Sequence, residues 1–248
     1  MKNIIGIIPA RYASTRFPGK PLIDIAGKTM IQRVYEQVKN SLLVREVIVA
    51  TDDERIEKAV KSFGGKVCMT SSEHQSGTDR CAEVIHKLQL KCDAAINIQG
   101  DEPFIDPKQI DLVCGCFSDT ETELATLVKK ITSSEILFNP NSPKVILDKD
   151  SHAIYFSRNP IPYIRGREQQ DWLSHHTFYQ HIGIYGYRPD VLKKITALPV
   201  SSLEKAESLE QLRWIENGFK IKTATTTLET LAIDTPEDLT RILHSLKL

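Results

Sequence analysis

No stretch of the 248 residues approaches the ~18 consecutive apolar positions of a membrane-spanning helix, so no membrane partner is expected. The opening Met-Lys-Asn-Ile-Ile-Gly lacks the apolar core and small-residue cleavage site of a secretory signal, which predicts a cytoplasmic location. Net charge is missing too. The 32 Lys plus Arg balance 32 Asp plus Glu, leaving no global field for nucleic acid or an anionic surface. Any preference for anions must be local. Cysteine is scarce, at positions 68, 81, 92, 114 and 116, and no CxxC occurs. Cys114-Gly-Cys116 is the one close pair, with no second pair to complete a zinc site, so all five read as reduced packing residues. No GxGxxG follows a strand-like run, which disfavours a dinucleotide dehydrogenase. Gly27-Lys28-Thr29 resembles the end of a Walker loop, but Leu22 stands where its first glycine must be. Repeats and Gly/Ser linkers are absent.

What is present is organised around residues 3–21. Residues 4–8 are nearly all apolar, as in a strand buried on both faces of a parallel sheet, and Pro9 is expected to end it. The following loop carries Arg11, Arg16 and Lys20 with no acid between them, and Ser14, Thr15 and Gly19 add hydroxyl and backbone donors. Cations at the C-terminal end of a first α/β strand suit a polyphosphate. Helices are predicted over 29–40, 53–63 and 78–88, and strands over 47–50, 66–69 and 94–98. Four strand–helix units in the first hundred residues imply parallel strands, right-handed crossovers and a three-layer α/β sandwich. Beyond residue 120 the pattern changes to a hairpin (144–147 and 153–156), polar and Pro-rich segments, and a strand over 181–187. A helix over 202–217, a strand over 220–226 and a helix from Pro236 follow. The whole reads as one domain over 1–248, with an antiparallel portion inserted around 125–180.

Gln99-Gly-Asp101-Glu-Pro103 follows the fourth strand and so shares the sheet edge with the basic loop. Cations for phosphate oxygens facing carboxylates for Mg²⁺ would suit a metal–polyphosphate. Asp101 reads as a metal ligand, whereas Glu102 and Asp106 read as favourable acids at a helix N-terminus. In Asp234-Thr-Pro-Glu-Asp238, a capping box accounts for Thr235, Pro236 and Asp238 and leaves Asp234 as a second ligand. Glu210 falls on the apolar stripe of the 202–217 helix, which calls for either a function or an arginine partner such as Arg213 or Arg158. His181 and Tyr185 share one face of their strand, where Gly183 and Gly186 allow close approach. His175-His176 reads as loop, and Asp148-Lys-Asp150 as a turn rather than a glycosyltransferase metal motif.

Together these segments resemble the 3-deoxy-manno-octulosonate (KDO) cytidylyltransferases, the CMP-KDO synthetases. The likeness runs through Pro-Ala-Arg-Tyr-Ala-Ser-Thr-Arg-Phe-Pro-Gly-Lys-Pro, His74-Gln-Ser-Gly-Thr-Asp-Arg80, Gln99-Gly-Asp-Glu-Pro, Tyr155-Phe-Ser-Arg158, His181-Ile-Gly-Ile-Tyr-Gly-Tyr, Leu209-Glu-Gln-Leu-Arg and Asp234-Thr-Pro-Glu-Asp-Leu. It implies a nucleotide-diphospho-sugar transferase type of sheet and a Mg²⁺-dependent reaction of CTP with KDO giving CMP-KDO and pyrophosphate for lipopolysaccharide biosynthesis. It places Ala10, Arg11, Ser14, Lys20, Ser76, Gly77 and Arg80 at the nucleotide, with Arg11 and Lys20 offsetting charge on the leaving group. Asp101 and Asp234 would hold the metal. Gln99, Arg158, His181, Tyr185, Glu210 and Gln211 would hold the sugar acid, and the middle segment would form a homodimer. The nearest alternatives are synthetases for 8-amino-KDO or sialic acid, then a nucleotide-sugar glycosyltransferase or a non-catalytic binder.

Overall fold

β1 (Ile4–Ala10) lies between two parallel neighbours, and its side chains are buried on both sides of the sheet. A computed structural model describes the chain except for residues 1, 14–16, 230, 231, 234, 247 and 248. After β1 come a short 3₁₀ turn (Lys20–Leu22), a two-residue pairing of β2 (Asp24–Ile25) with β3 (Lys28–Thr29), and α1 (Met30–Lys39). Thr29 caps α1 through its hydroxyl, so the Walker-like Gly-Lys-Thr is a helix start and not a phosphate cradle. Then follow β4 (Val44–Thr51), α2 (Glu54–Ser62), β5 (Lys66–Met69), α3 (Gly77–Lys87), β6 (Ala94–Asn97) and α4 (Pro107–Cys116). The sheet runs β5-β4-β1-β6 with every pairing parallel. Winding therefore reverses between β1 and β6, and their C-terminal ends frame a crevice.

Pro9 does not end β1 as expected. The strand continues through Pro9↔Ala50 and Ala10↔Thr51 against β4, whereas β6 stops pairing at Ile7↔Asn97. Ile7 O accepts from Ile98 N, so Pro9, two residues on, turns its missing N–H toward the side β6 has vacated. Ile4 and Ile8 join a core beneath α1 and α4, while Ile5 and Ile7 join a second core with Val84, Tyr187 and Trp214. This is the three-layer arrangement read from the apolar runs.

The second half comprises β7 (Leu124–Lys130), α5 (Ser134–Phe138), β8 (Lys144–Leu147), β9 (Ala153–Ser157), α6 (Trp172–His175), β10 (Tyr179–Tyr187), α7 (Pro189–Thr196), α8 (Ser202–Glu207), α9 (Gln211–Glu216), β11 (Ile221–Thr226) and α10 (Pro236–Leu246). The main path is β11-β7-β10-β6-β1-β4-β5, in which β10 alone opposes the other six strands. The antiparallel portion is thus woven into the sheet through β7 and β10, and only the β8–β9 hairpin hangs from the start of β10. Asp148 Oδ1 accepts from Asp150 N (2.9 Å) and His152 N (2.8 Å), as a turn residue does.

The predicted helix over 202–217 is two helices. Ser208 takes left-handed backbone (φ 50°, ψ 48°) between α8 and α9. Tertiary contacts override the helical pattern here. The Glu207 carboxylate accepts from Ser157 Oγ (2.7 Å) and Arg158 N (2.9 Å), and its carbonyl accepts from Arg158 Nε (2.6 Å). The Ser201/Glu204 capping box expected at the start is present.

Candidate active site

A cleft of about 260 Å³ opens where β1 and β6 end. It gathers Ala10 from the end of β1, Arg11 and Lys20 from the segment beyond it, Ser76, Gly77 and Arg80 from the cap and first turns of α3, and Gln99 and Asp101 from the loop after β6. The first loop is closed by Gly19 N donating to Tyr12 O at 3.0 Å. Gly19 has φ 74°, and a Cβ there would press the Tyr12 ring at 3.1 Å, so glycine is required. Closure aims Lys20 across the crevice, and its Nζ meets Asp101 Oδ2 at 2.8 Å. Arg11 stays exposed at the rim.

Opposite stands the N-terminus of α3. Ser76 and Asp79 form a reciprocal capping box, and the free N–H groups of the first turn with the helix dipole favour an anion there. The loop after β6 comes equally close: a Cβ on Gly100 would lie 2.7 Å from Pro9 O. Arg80 lines the cleft as a buried strut. Its guanidinium donates to Thr70 Oγ1 (2.8 Å), Ser71 O (3.0 Å) and Asp52 Oδ2 (2.8 Å).

Among the acids, Asp101 is 30% exposed at the cleft, and its carbonyl accepts from Ile233 N at 2.9 Å. The chain one residue before Asp234 is therefore fastened to Asp101. Asp234 itself and Ser14 lie outside the described residues. Asp106 caps α4, as expected. Glu102 does not serve a helix N-terminus, because α4 begins only at Pro107. It is buried, with Oε2 unpartnered among the described residues, and burial followed by the nearby Asp101 charge pushes its carboxyl up to about 8. The Thr235/Asp238 box is formed by two reciprocal bonds of 3.1 and 3.2 Å.

Of the residues assigned to the sugar acid, only Gln99 lines the cleft. Gln99 Nε2 donates to Gly183 O at 2.9 Å, in the irregular stretch of β10 between Ile182 and Tyr185. His181 is buried, and desolvation pushes it down to about 3, so its ring is neutral. Its Nε2 lies 3.1 Å from Thr126 Oγ1, which donates to Ile184 O at 2.8 Å; Nε2 therefore carries the proton. The buried Tyr185 ring lies 5.3 Å from His181 and 5.1 Å from Trp214, and burial raises its hydroxyl pKa. Gln211 is buried, with Nε2 unpartnered among the described residues. Arg158 spends three donors on the carbonyls of Glu207, Pro140 and Ser208.

Glu210 is placed by the α8–α9 break, not by a helical stripe. Neither proposed arginine bonds it among the described residues: Arg213 binds Glu204 at 2.6 Å and acts on Glu210 only through its charge, while Glu210 Oε2 accepts from Thr78 Oγ1 at 2.8 Å. Burial raises its pKa, opposed by hydrogen bonds from Thr78 and Ser76.

His74 and Gln75, which carry no site role in the sequence reading, also line the cleft. His74 Nε2 is seated on Glu83 Oε2 at 2.6 Å. The available signal was the His-Gln-Ser run just before a capped helix. Chemically, the arrangement offers two cations and a helix N-terminus to an anion, with a carboxylate on the same edge.

The family model for cytidylyltransferases matches residues 5–222. The chain is 62% identical over 247 residues to a 3-deoxy-manno-octulosonate cytidylyltransferase of Parabacteroides distasonis, with 98% of each chain covered. It is 60% identical over 244 residues to the protein of that name from Cytophaga hutchinsonii, covering 98% of this chain and 97% of that one. Among solved structures it resembles CMP:2-keto-3-deoxy-manno-octonic acid synthetase complexed with CTP, at TM-score 0.91 and 45% identity, with 99% of this chain and 100% of that chain covered.

Proposed function

The chain belongs to the cytidylyltransferase family, and on that premise we propose that it activates KDO with CTP, giving CMP-KDO and pyrophosphate for lipopolysaccharide biosynthesis. One observation carries the reading. The cationic loop after β1, the N-terminus of α3 and the Asp101 loop meet in a single cleft at the winding reversal of the sheet.

The anomeric 2-hydroxyl of KDO attacks the α-phosphorus of CTP in line. The phosphorus–oxygen bond to the β-phosphate breaks, pyrophosphate leaves with the bonding pair, and the hydroxyl proton is released. Such transfer depends on positioning and charge neutralisation. Arg11 and Lys20 face the triphosphate, and Lys20 offsets the charge gathering on the leaving group. Ser76 and Gly77 supply donors for the nucleotide, and Arg80 holds their wall in place. Gln99, Arg158, His181, Tyr185, Glu210 and Gln211 surround the sugar acid, His181 as a neutral ring.

Asp101 is an acceptor-only oxygen group at the cleft edge, the hard donor type that suits Mg²⁺, so the residues present fit that ion. Among the described residues no three His, Cys, Asp or Glu side chains converge as a cage. Asp101 with Asp234 would hold the ion. When bound, the ion supplies charge neutralisation and lowers the pKa of an attacking hydroxyl.

The chain works as a homodimer joined through the 125–180 portion, where Tyr163 (72%) and Ile154 (52%) stand exposed. No helix among the described residues is long and apolar enough to cross a membrane. The cytoplasm is the site of action in this reading. The deciding experiment is pyrophosphate release from each of four nucleoside triphosphates with KDO, 8-amino-KDO and sialic acid. Release with CTP and KDO above all other pairs is expected; none with that pair overturns the reading.

A further inference from the structure

Behind the first turn of α3, polar side chains form a directed chain toward Glu210. Asn97 Nδ2 donates to Tyr187 Oη at 3.2 Å, Tyr187 Oη lies 3.3 Å from Thr78 Oγ1, and Thr78 Oγ1 donates to Glu210 Oε2 at 2.8 Å. Asn97, Tyr187 and Thr78 are all at least nine-tenths buried. The direction is fixed at both ends. An amide nitrogen can only donate and a carboxylate can only accept, so Tyr187 receives from Asn97 and passes its own proton toward Thr78. Ser76, in the same turn, has its Oγ engaged by Asp79 N at 3.2 Å.

Glu210 is therefore held by the Thr78 hydroxyl, on the turn that also walls the nucleotide cleft, and among the described residues no arginine hydrogen-bonds it. A long carboxylate side chain has several rotamers, and hydroxyl donors on a capped helix select one of them. We propose that Thr78, backed by Tyr187, is a positioning residue for sugar-acid recognition. It occupies one Glu210 oxygen and leaves the remaining lone pairs to accept from the hydroxyls of a polyhydroxylated sugar acid. The inference rests on the reading of Glu210 as a sugar ligand.

Pyrophosphate release by the full chain, with KDO varied at saturating CTP and CTP varied at saturating KDO, tests it in wild type, Thr78→Val, Thr78→Ser and Tyr187→Phe. Loss of one hydrogen bond to a charged group corresponds to roughly tenfold or more. Thr78→Val raises the KM for KDO by about that factor while the KM for CTP stays within about twofold, Thr78→Ser recovers most of the loss, and Tyr187→Phe falls between. A serine variant as impaired as the valine variant, or both KM values rising together, assigns Thr78 to packing and overturns the proposal. If Thr78→Val does not fold, Tyr187→Phe alone decides by the same split. A wild-type protein silent with CTP and KDO removes the underlying function, an outcome that needs no variant to recognise.

Discussion

The Lys20 ammonium meets the Asp101 carboxylate at 2.8 Å, with the lysine side chain 12% exposed. One short contact thus joins the loop after β1 to the loop after β6, on either side of the point where the sheet reverses its winding. An ion pair at a cleft mouth keeps both charges aimed at the place where a metal–polyphosphate would lie. Lys20→Met removes the cation and leaves the stem. The expected outcome is a KM for CTP raised by roughly tenfold or more, with a lower kcat, because a charge-assisted contact to phosphate is lost. Isothermal titration of CTP into the variant checks the binding part.

Gly100 sits where any Cβ would lie 2.7 Å from Pro9 O, a backbone atom that cannot swing away. Gly100→Ala should push the Asp101 loop from the end of β1. Overpacking of this kind costs about 1–3 kcal/mol. A lowered melting temperature, together with turnover reduced more than CTP affinity, is expected from thermal unfolding and steady-state assays.

His181 titrates near 6.5 when unfolded and is pushed down to about 3 when folded. Its burial stabilises the fold fully above pH 6.5, and that contribution is lost as pH falls from 6.5 toward 3. Between pH 7 and pH 5 the loss amounts to about 2 kcal/mol. Glu102 and Glu210, both raised by burial, act in the opposite sense. The informative quantity is therefore the difference between wild type and His181→Asn in urea unfolding at the two pH values. The variant should lose less stability on acidification than wild type.

Much of this was legible in the residues. Ile4, Ile5, Ile7 and Ile8 are apolar in near-unbroken succession because β1 is covered on both faces, and the same logic exposes β4 and β6. Arg11, Lys20 and Asp101 stand out because charges placed directly after such strands have few structural duties. The 202–217 helix was misread because its interruption is dictated by Arg158 and Glu207, contacts about fifty positions apart in the chain. Glu102 was misread because its burial depends on where α4 begins, which no local pattern around Asp101-Glu-Pro reveals. Pro9 was misread because a proline is tolerated wherever the neighbouring strand has already stopped.

The most direct test of the account is Asp101→Asn, measured for pyrophosphate release from CTP and KDO and, in parallel, for CTP binding. Asparagine keeps the side-chain shape but removes the charge that faces Lys20 and would hold the metal. CTP binding partly retained with turnover abolished is the predicted result; a kcat near that of wild type contradicts the assignment of Asp101 and the chemistry built on it.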